Sequence, residues 1–250
     1  MTTSNQRYIS NELTHFVGRG KKTDEQYRLL VKIVNEGWLS HPPHNPDIVG
    51  NVMVNSEARI SQNEMYNPQV VCFCDIPISE LGIHMEKYSP FGLSFSKDFI
   101  VSAGGCPVFY IPQKSKVETN NEFPPDFYEK WERMLKIEDT KQLFDENTRG
   151  SYFDWIIKEY SRFMIDNLKS NLQNMEIFRF LEFQIFSFIK FFDHKLIDED
   201  INNYYFEREW RIVGNLKFNI SDIKRIILVE GYGKKFRNDC SEYCGQITFS

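Results

Sequence analysis

The sequence predicts an α+β fold in which a mixed, split β-sheet carries a helical insertion. Residues 68–111 read as three short strands separated by two helices, which places a sheet with helices against it at the centre of the fold. Strand character returns at residues 209–229. Between these two regions, Pro124 and Pro125 close a polar stretch, and a helical region follows them.

The N-terminal part begins with a predicted strand at residues 13–17, which leads through a glycine-containing loop into a helix. Apolar residues at i, i+3, i+4 and i+7 from Tyr27 predict this helix over residues 24–35, and Gly37 ends it. Residues 40–67 contain two histidines and three prolines without periodicity. We interpret them as a long surface loop, and such loops in compact domains are commonly functional.

The central stretch starts with a short apolar strand at residues 70–74, bounded by prolines. A short helix follows, in which His84 and Tyr88 are four residues apart and therefore point at the same neighbour. The rest of the stretch is predicted to form a strand at residues 92–95, a helix at 97–103 and a strand at 107–111.

We predict a helical insertion over residues 113–205 within a single domain of residues 1–250. Its predicted helices are residues 126–137, 152–168 and 176–192. The last of them is apolar around most of its circumference, so we expect it to be buried between layers. Strands at residues 209–213, 223–229 and 246–249 complete the fold.

Net charge, the length of apolar stretches and the cysteine count exclude some classes of function. The 250-residue chain has a formal net charge of −5 and a pI near 5.6, which argues against a protein that coats nucleic acid through charge alone. The N-terminus lacks the apolar stretch of a signal peptide and no window has the length of a membrane span, so we expect a cytoplasmic protein with no membrane partner. Five cysteines, an odd number, fit reduced thiols better than a disulfide framework.

The most distinctive motif is FEREWRIV, in which Glu207 and Glu209 stand two residues apart at the start of a predicted apolar strand. Residues at i and i+2 of a strand face one way. Paired acids can stabilise a developing cation and accept a proton, as cleavage of a glycosidic bond requires. The alternative is a solvated strand edge, since such a spacing also arises by chance.

His15 lies in the middle of the first predicted strand, where a histidine is more often a hydrogen-bonded core residue than a catalyst. Together with the face that carries His84 and Tyr88 and with the late Glu-x-Glu, it makes a set of groups that suits a nucleotide pocket. Each of these features alone is a weak indication of function.

No metal site and no nucleophile motif is predicted. The spacings considered for a metal are Cys72-x-Cys74, His41-x-x-His44 and Cys240-x-x-x-Cys244. None has the paired spacing of a zinc ribbon or finger. The chain also lacks a G-x-S-x-G motif and a Walker-type phosphate loop.

Several stretches, taken in chain order, resemble the bacterial abortive phage-resistance AbiGi family: LTHFVG with VNEGWLS, VVCFCDIP, HMEKYSPFGLSFSK, PVFYI and FEREWRI. The likeness covers most of the chain, and the family carries the label of an antitoxin. More remotely, the order of a His-Phe strand, a helix, Gly-x-Leu, a variable loop, a strand and a late Glu is similar to ADP-ribosyltransferase folds, including the DarT-type DNA-modifying toxins. In those folds a first-strand His holds the NAD ribose, an aromatic residue stacks on nicotinamide and a late-strand Glu is catalytic.

The remote resemblance implies an ADP-ribosyltransferase-like sheet, NAD as cofactor and transfer of ADP-ribose to a nucleic-acid or protein acceptor. It makes Glu209 the catalytic acid, and Glu207 is expected to orient or deprotonate the acceptor. The residues expected at the NAD site are His15, which holds the ribose, together with Phe16, His84, Tyr88, Phe95 and Arg211. The aromatic that stacks on nicotinamide stays open between Tyr88, Phe91 and Phe95.

Two other functions stand beside the enzyme. The first is a non-enzymatic module, an antitoxin or phage-protein sensor, in which Glu207 or Glu209 forms a structural ion pair with Arg208 or Arg211. Its partner would be a cognate toxin or antitoxin or a phage protein. The second is a nuclease, which ranks lower because no Asp and Glu-x-Lys arrangement accompanies the acids.

Overall fold

A computed structural model describes residues 10–42, 44–47, 50–55, 57–115, 157, 160, 172–197, 200 and 202–250. The chain divides into two compact units. The first consists of Met1–Met53, Pro68–Phe109 and Lys195–Ser250, and the second of Val54–Asn67 and Tyr110–His194. A single domain with an insertion at residues 113–205 stays a prediction, because much of that range lies outside the described residues.

The described strands, in chain order, are β1 (Glu12–Phe16), β2 (Trp38–Leu39), β3 (Val52–Val54), β4 (Tyr66–Pro68), β5 (Val70–Cys74), β6 (Gly92–Ser96), β7 (Cys106–Pro107), β8 (Phe109–Pro112), β9 (Ile189–Phe192), β10 (Glu209–Val213), β11 (Leu216–Lys217), β12 (Ile223–Leu228) and β13 (Gln246–Phe249). The described α-helices are α1 (Thr23–Glu36), α2 (Gly82–Lys87), α3 (Lys97–Ser102), α4 (Leu172–Phe180) and α5 (Gly233–Asp239). Short 3-10 turns occupy Ile60–Gln62, Ile78–Glu80, Phe186–Phe188, Tyr204–Glu207, Ile220–Asp222 and Glu230–Tyr232, and a π-helix occupies Leu181–Ile185.

The first unit is built on a seven-stranded sheet with the strand order β13-β12-β6-β1-β5-β10-β7. Strands β12 and β13 run parallel, and the other neighbours pair antiparallel. This mixed orientation confirms the predicted α+β class. The strand predicted at residues 107–111 is wrong as one element, because Cys106–Pro107 joins this sheet while Phe109–Pro112 pairs with β9. Pro107 has no N–H to extend the ladder, which limits β7 to a short edge strand.

The sheet is weakly joined between β1 and β5. These strands share one register pair, Thr14 with Cys74, whereas the β1–β6 and β5–β10 ladders each have five. Beyond Thr14, a side chain bridges the two strands: His15 Nδ1 lies 2.7 Å from the carbonyl oxygen of Cys72. We call this line between β1 and β5 the sheet break.

The two faces of the sheet carry different layers because side chains alternate along each strand. One face, which we call the core face, bears Leu13, Phe73 and Leu93 and packs in one cluster with α1 and α5 through Leu30 and Phe236. The other face, the α2 face, packs Cys74 and Ile227 against Leu81, with Phe16 and Met85 at the edge of that cluster.

The helix predicted at residues 24–35 is confirmed as α1. It ends at Gly37, whose φ of 69° is left-handed and whose N–H donates to Ile33 O at 3.0 Å. A Cβ at this position would lie 2.6 Å from the carbonyl oxygen of Phe218, so glycine is required by both conformation and space.

The helix predicted at residues 176–192 is correct only in its first part. Helix α4 ends at Phe180, and the chain passes through the π-helix and a 3-10 turn into strand β9.

The expected burial of this helix is also wrong, since Ile177 and Phe180 are each more than half exposed. The aromatic-rich end pairs as a strand with β8, and Phe191 N–H donates to Asn63 Oδ1 at 2.7 Å.

The helices predicted at residues 126–137 and 152–168 lie outside the described residues. In the described part of the chain, no helix is long and apolar enough to cross a membrane.

Candidate functional site

The two acids of the Glu-x-Glu motif sit on different elements. Glu207 is the last residue of a 3-10 turn and Glu209 is the first residue of β10. Arg208 between them has a left-handed backbone with φ of 44°, which changes the chain direction. The expectation that both acids project from one face of one strand is therefore wrong, because the strand begins only at the second acid.

Glu207 is held in a buried ion pair. Its Oε1 accepts a hydrogen bond from Lys87 Nζ at 2.7 Å, and the two side chains are only 5% and 4% exposed. The same oxygen accepts a hydrogen bond from the Tyr88 hydroxyl. The Lys87 ammonium also lies 4.8 Å from the ring centroid of Tyr204 and 5.5 Å from that of Phe206. Glu207 thus ties α2 to the segment that leads into β10.

Tyr88 lies just after α2, and its ring is nearly parallel to that of Phe16 on β1, with centroids 6.3 Å apart and an interplanar angle of 12°. The Arg19 guanidinium lies 5.0 Å from the Tyr88 ring centroid. Burial and the neighbouring Glu207 raise the pKa of Tyr88, and Glu209 raises it further. Tyr88 is therefore a neutral hydroxyl donor that is close to both acids.

Glu209 pairs with Arg211 on the same strand. Arg211 Nε donates to Glu209 Oε1 at 2.7 Å, and the two side chains are 13% and 7% exposed. Glu209 lies opposite Cys74, which lies opposite Thr14, so the three form one row across β10, β5 and β1. Register partners share a face. Glu209 and Arg211 therefore belong to the α2 face, next to the sheet break.

His84 is buried on α2, with only 2% of its surface exposed. Its ring stacks at 6.3 Å on Phe16 and meets the edge of Phe206 at 4.8 Å. Neither ring nitrogen has a hydrogen-bond partner among the described residues. Burial lowers the pKa of His84 to about 4, so the ring is neutral at pH 7. Two buried nitrogens without partners cost stability, and a bound ligand would relieve that cost.

Replacing His84 with Phe is expected to stabilise the protein, because a planar aromatic ring is kept and the two buried nitrogens without hydrogen-bond partners are removed. The gain should grow as the pH falls from about 6.5, the pKa of an unfolded histidine, to about 4. Over this window the unfolded wild type binds a proton that the folded protein does not, so acid weakens the wild type more than the variant. Urea unfolding at pH 7, 6 and 5 measures the difference, and a variant less stable than wild type at every pH contradicts it.

His15 lies on the core face, opposite to Glu209. It contacts Phe73 with ring centroids 5.8 Å apart, and it meets His44 at 5.9 Å. Burial lowers its pKa to about 4. Phe95 is also a core residue, completely buried and 5.1 Å from the Phe218 ring. The predicted set is thus divided by the alternation of side chains along the strands.

The structure brings together Phe16, His84, Tyr88, Glu207, Glu209 and Arg211 on the α2 face, and it leaves His15 and Phe95 on the core face. Of the three aromatics left open by the sequence, Tyr88 is the one beside the acids, since Phe91 and Phe95 are buried in the core. The sequence reasoning missed Lys87, because a single lysine at a helix end gives no signal for a buried ion pair. It also missed His44 as a neighbour of His15, since a loop histidine 29 residues away has no periodic relation to a strand.

The cysteines form no disulfide: Cys72, Cys74, Cys106, Cys240 and Cys244 are all free thiols. Burial raises the pKa of the Cys74 thiol, so it stays protonated. Within the described ranges, no group of three or more His, Cys, Asp or Glu residues is arranged to hold a metal ion.

Comparison with curated proteins and with solved structures gives no match. One family model, described as "Putative abortive phage resistance protein AbiGi, antitoxin", matches residues 53–241. The match spans most of the chain and includes α2, Tyr88 and the Glu207 to Arg211 segment, while β1 with His15 and Phe16 precedes it. This extent of agreement shows the family, and the chain therefore belongs to the AbiGi family of abortive phage resistance proteins.

Proposed function

We propose that this AbiGi protein acts in phage defence as an NAD-dependent ADP-ribosyltransferase that modifies a macromolecule, with its site at the sheet break. The observation that carries the proposal is the grouping of Glu209, Tyr88 and Phe16 on the α2 face beside the break. A carboxylate next to an aromatic layer suits a reaction in which positive charge develops on a sugar ring.

The buried side-chain nitrogens of His84 that lack hydrogen-bond partners support a polar, aromatic ligand. On the α2 face, His84 carries two buried nitrogens that have no hydrogen-bond partner among the described residues. The stacked rings of Phe16 and Tyr88 supply an apolar surface of the kind on which a heteroaromatic ring stacks. NAD combines hydroxyl groups with two heteroaromatic rings, so its chemistry fits the groups that this site leaves unsatisfied.

When bound, NAD would supply the ADP-ribosyl group: the bond from ribose C1′ to nicotinamide would break with its electron pair on nicotinamide, and an acceptor oxygen or nitrogen would bond to C1′ and release its proton to water. Glu209 would place a negative charge beside the bound ribose, and Arg211 fixes the orientation of that carboxylate through the 2.7 Å bond from its Nε to Glu209 Oε1. Glu207 was expected to handle the acceptor proton. Its bonds to Lys87 and Tyr88 instead support a role in positioning the Tyr88 ring.

The proposal predicts that purified protein releases nicotinamide from NAD when a suitable acceptor is present. The assay supplies labelled NAD together with single-stranded DNA, RNA or total protein from uninfected or phage-infected cells, and it follows transfer of the label to the macromolecule. A protein that neither binds nor consumes NAD under any of these conditions contradicts the enzyme.

The second candidate is a non-enzymatic module that binds a cognate toxin or a phage protein. It is favoured by the ion pairing of both acids, Glu207 with Lys87 and Glu209 with Arg211, which is also how structural carboxylates are satisfied. The antitoxin description of the family supports a toxin as the partner. Absence of NAD binding together with capture of a toxin protein from the same cells would favour this candidate.

A further inference from the structure

We infer that Glu182 and three neighbouring aromatic residues form a second binding site, which takes a primary alkylammonium group such as the end of a polyamine or of a lysine side chain. The aromatic residues are Tyr66, Tyr160 and Phe186, and all four residues lie in the second compact unit. They also lie within the residues that the AbiGi family model matches. The site takes no part in the proposed ADP-ribose transfer, so this inference goes beyond that function.

Glu182 is a buried carboxylate with one oxygen that lacks a partner. Only 2% of the residue is exposed. Its Oε1 accepts a long hydrogen bond of 3.4 Å from the Tyr66 hydroxyl, and its Oε2 is buried with no hydrogen-bond partner among the described residues. None of the ion pairs between described residues includes Glu182. Because a buried carboxylate is costly unless a cation faces it, a cationic ligand would satisfy this position.

The aromatic residues form one cluster with this carboxylate. The Phe186 ring centroid lies 5.1 Å from that of Tyr66 and 5.4 Å from that of Tyr160. The Tyr160 hydroxyl is a second buried polar group without a hydrogen-bond partner in the described part of the chain. Burial and the charge of Glu182 raise the pKa of Tyr160 to about 12, so this hydroxyl is neutral and lies within electrostatic reach of the carboxylate. A carboxylate beside aromatic rings attracts an organic cation, since the ring faces are negative.

An irregular backbone carries the acid. Glu182 is the second residue of the π-helix Leu181–Ile185, and Ser187 Oγ donates to the Glu182 carbonyl oxygen at 2.5 Å. Phe186 follows directly after this π-helix. A π-helix is rare, and single turns of it occur frequently at functional sites. The irregular segment therefore places both the acid and the central ring of the cluster.

A compact ammonium group suits this cluster better than a planar group does. Only Oε2 of Glu182 lacks a partner, which offers one acceptor instead of the two that a guanidinium binds as a fork. The Phe186 ring already contacts both tyrosine rings, which leaves no slot for a planar base between them. An ammonium group could donate one hydrogen bond to Glu182 Oε2 and another to the Tyr160 oxygen. Tyr160 is only half-buried although its hydroxyl is buried, so the ligand could enter past this residue.

The test titrates the full-length protein by calorimetry at pH 8 with n-butylammonium, with spermidine and with a lysine tripeptide that is blocked at both ends. Glu182→Gln should weaken Kd at least about tenfold and Tyr160→Phe about fivefold, the losses expected for a charged and a neutral hydrogen bond. Binding of the tripeptide as tight as that of n-butylammonium assigns the site to a lysine of a partner protein. Binding of the two free amines alone assigns it to a small amine, and both results uphold the site.

The matched control is Glu176→Gln, which removes an exposed carboxylate from helix α4. This variant loses the same charge as Glu182→Gln, so it should bind all three probes like wild type unless the attraction is only general. Equal affinity of wild type and Glu182→Gln, an equal loss in Glu176→Gln, or no binding of any probe overturns the inference. Transfer of ADP-ribose is measured in a separate assay, and its outcome leaves this site unaffected.

The pH dependence gives a second readout. Burial raises the pKa of Glu182 from 4.5 to about 7, and the titratable groups that face it among the described residues are the hydroxyls of Tyr66 and Tyr160. An alkylammonium stays charged in this range, so Kd should be constant above about pH 8 and rise about tenfold per pH unit below about pH 6. An affinity that does not change between pH 8 and pH 5 overturns the inference.

Stability without a ligand shows whether Glu182→Gln is folded and whether the acid is buried as described. Between pH 4.5 and about 7 the folded wild type binds a proton that the unfolded chain releases. Relative to Glu182→Gln, the wild type should therefore lose stability as the pH rises through this window. Urea unfolding at pH 5, 6 and 8 measures the difference, and a difference that is the same at every pH contradicts the burial of the acid on which the site depends.

Discussion

Replacing Glu209 with Gln is expected to lower the rate of ADP-ribose transfer about a hundredfold to a thousandfold while the affinity for NAD stays near the wild-type value. The substitution keeps the size and hydrogen bonding of the side chain and removes its charge. That charge matters most when the ribose becomes cationic, so kcat falls and binding changes little. Phage protection should be lost together with transfer.

The matched control for this variant is Glu12→Gln. Glu12 is also paired with an arginine, with its Oε2 lying 3.3 Å from Arg225 Nε, and its side-chain hydrogen bonds go to Ser94 and Arg225. This variant should transfer ADP-ribose like wild type. If Glu209→Gln keeps full activity, or if it only lowers the melting temperature and Arg211→Gln lowers it equally, then Glu209 is a structural partner and the binding module is favoured.

Replacing Lys87 with Met is expected to lower the free energy of unfolding by about 3 kcal/mol. Lys87 and Glu207 are almost fully buried, so the change removes the ammonium that the buried carboxylate faces at 2.7 Å. Met retains the length and apolar contacts of the lysine stem, which restricts the effect to the lost charge and hydrogen bond. Urea unfolding followed by circular dichroism measures the change.

Two further variants separate a buried ion pair from simple packing. Combining Lys87→Met with Glu207→Gln should recover part of the stability, since the uncompensated charge is then absent. Lys32→Met, which removes one partner of the exposed pair with Glu36, should change stability by less than about 1 kcal/mol. A loss in Lys87→Met no larger than in Lys32→Met would mean that the carboxylate does not depend on its lysine.

Local patterns in the sequence determined most elements of the first unit. The i, i+3, i+4 spacing and Gly37 defined α1, and short apolar runs between prolines and glycines defined β1, β5, β6 and β10. These signals are local, because periodicity and turn residues act within a few positions of the chain. The structure places the motif FEREWRIV next to the pair His84 and Tyr88, since the Tyr88 hydroxyl donates to Glu207.

The tertiary structure alone decided which of these residues meet. Strand register and the alternation of side chains placed His15 with His44 on the core face and Glu209 with Tyr88 on the α2 face, and no local pattern encodes pairing between distant strands. Packing also paired Lys87 with Glu207 across 120 positions of the chain. The apolar residues near Phe186 fit a helix pattern but form a turn and strand β9, because they pair with β8 and hydrogen-bond to Asn63. Both partners lie far away in the sequence, so no local pattern predicts them. Pairing with a distant strand outweighs the local preference for a helix, and this pairing exists only in the folded chain.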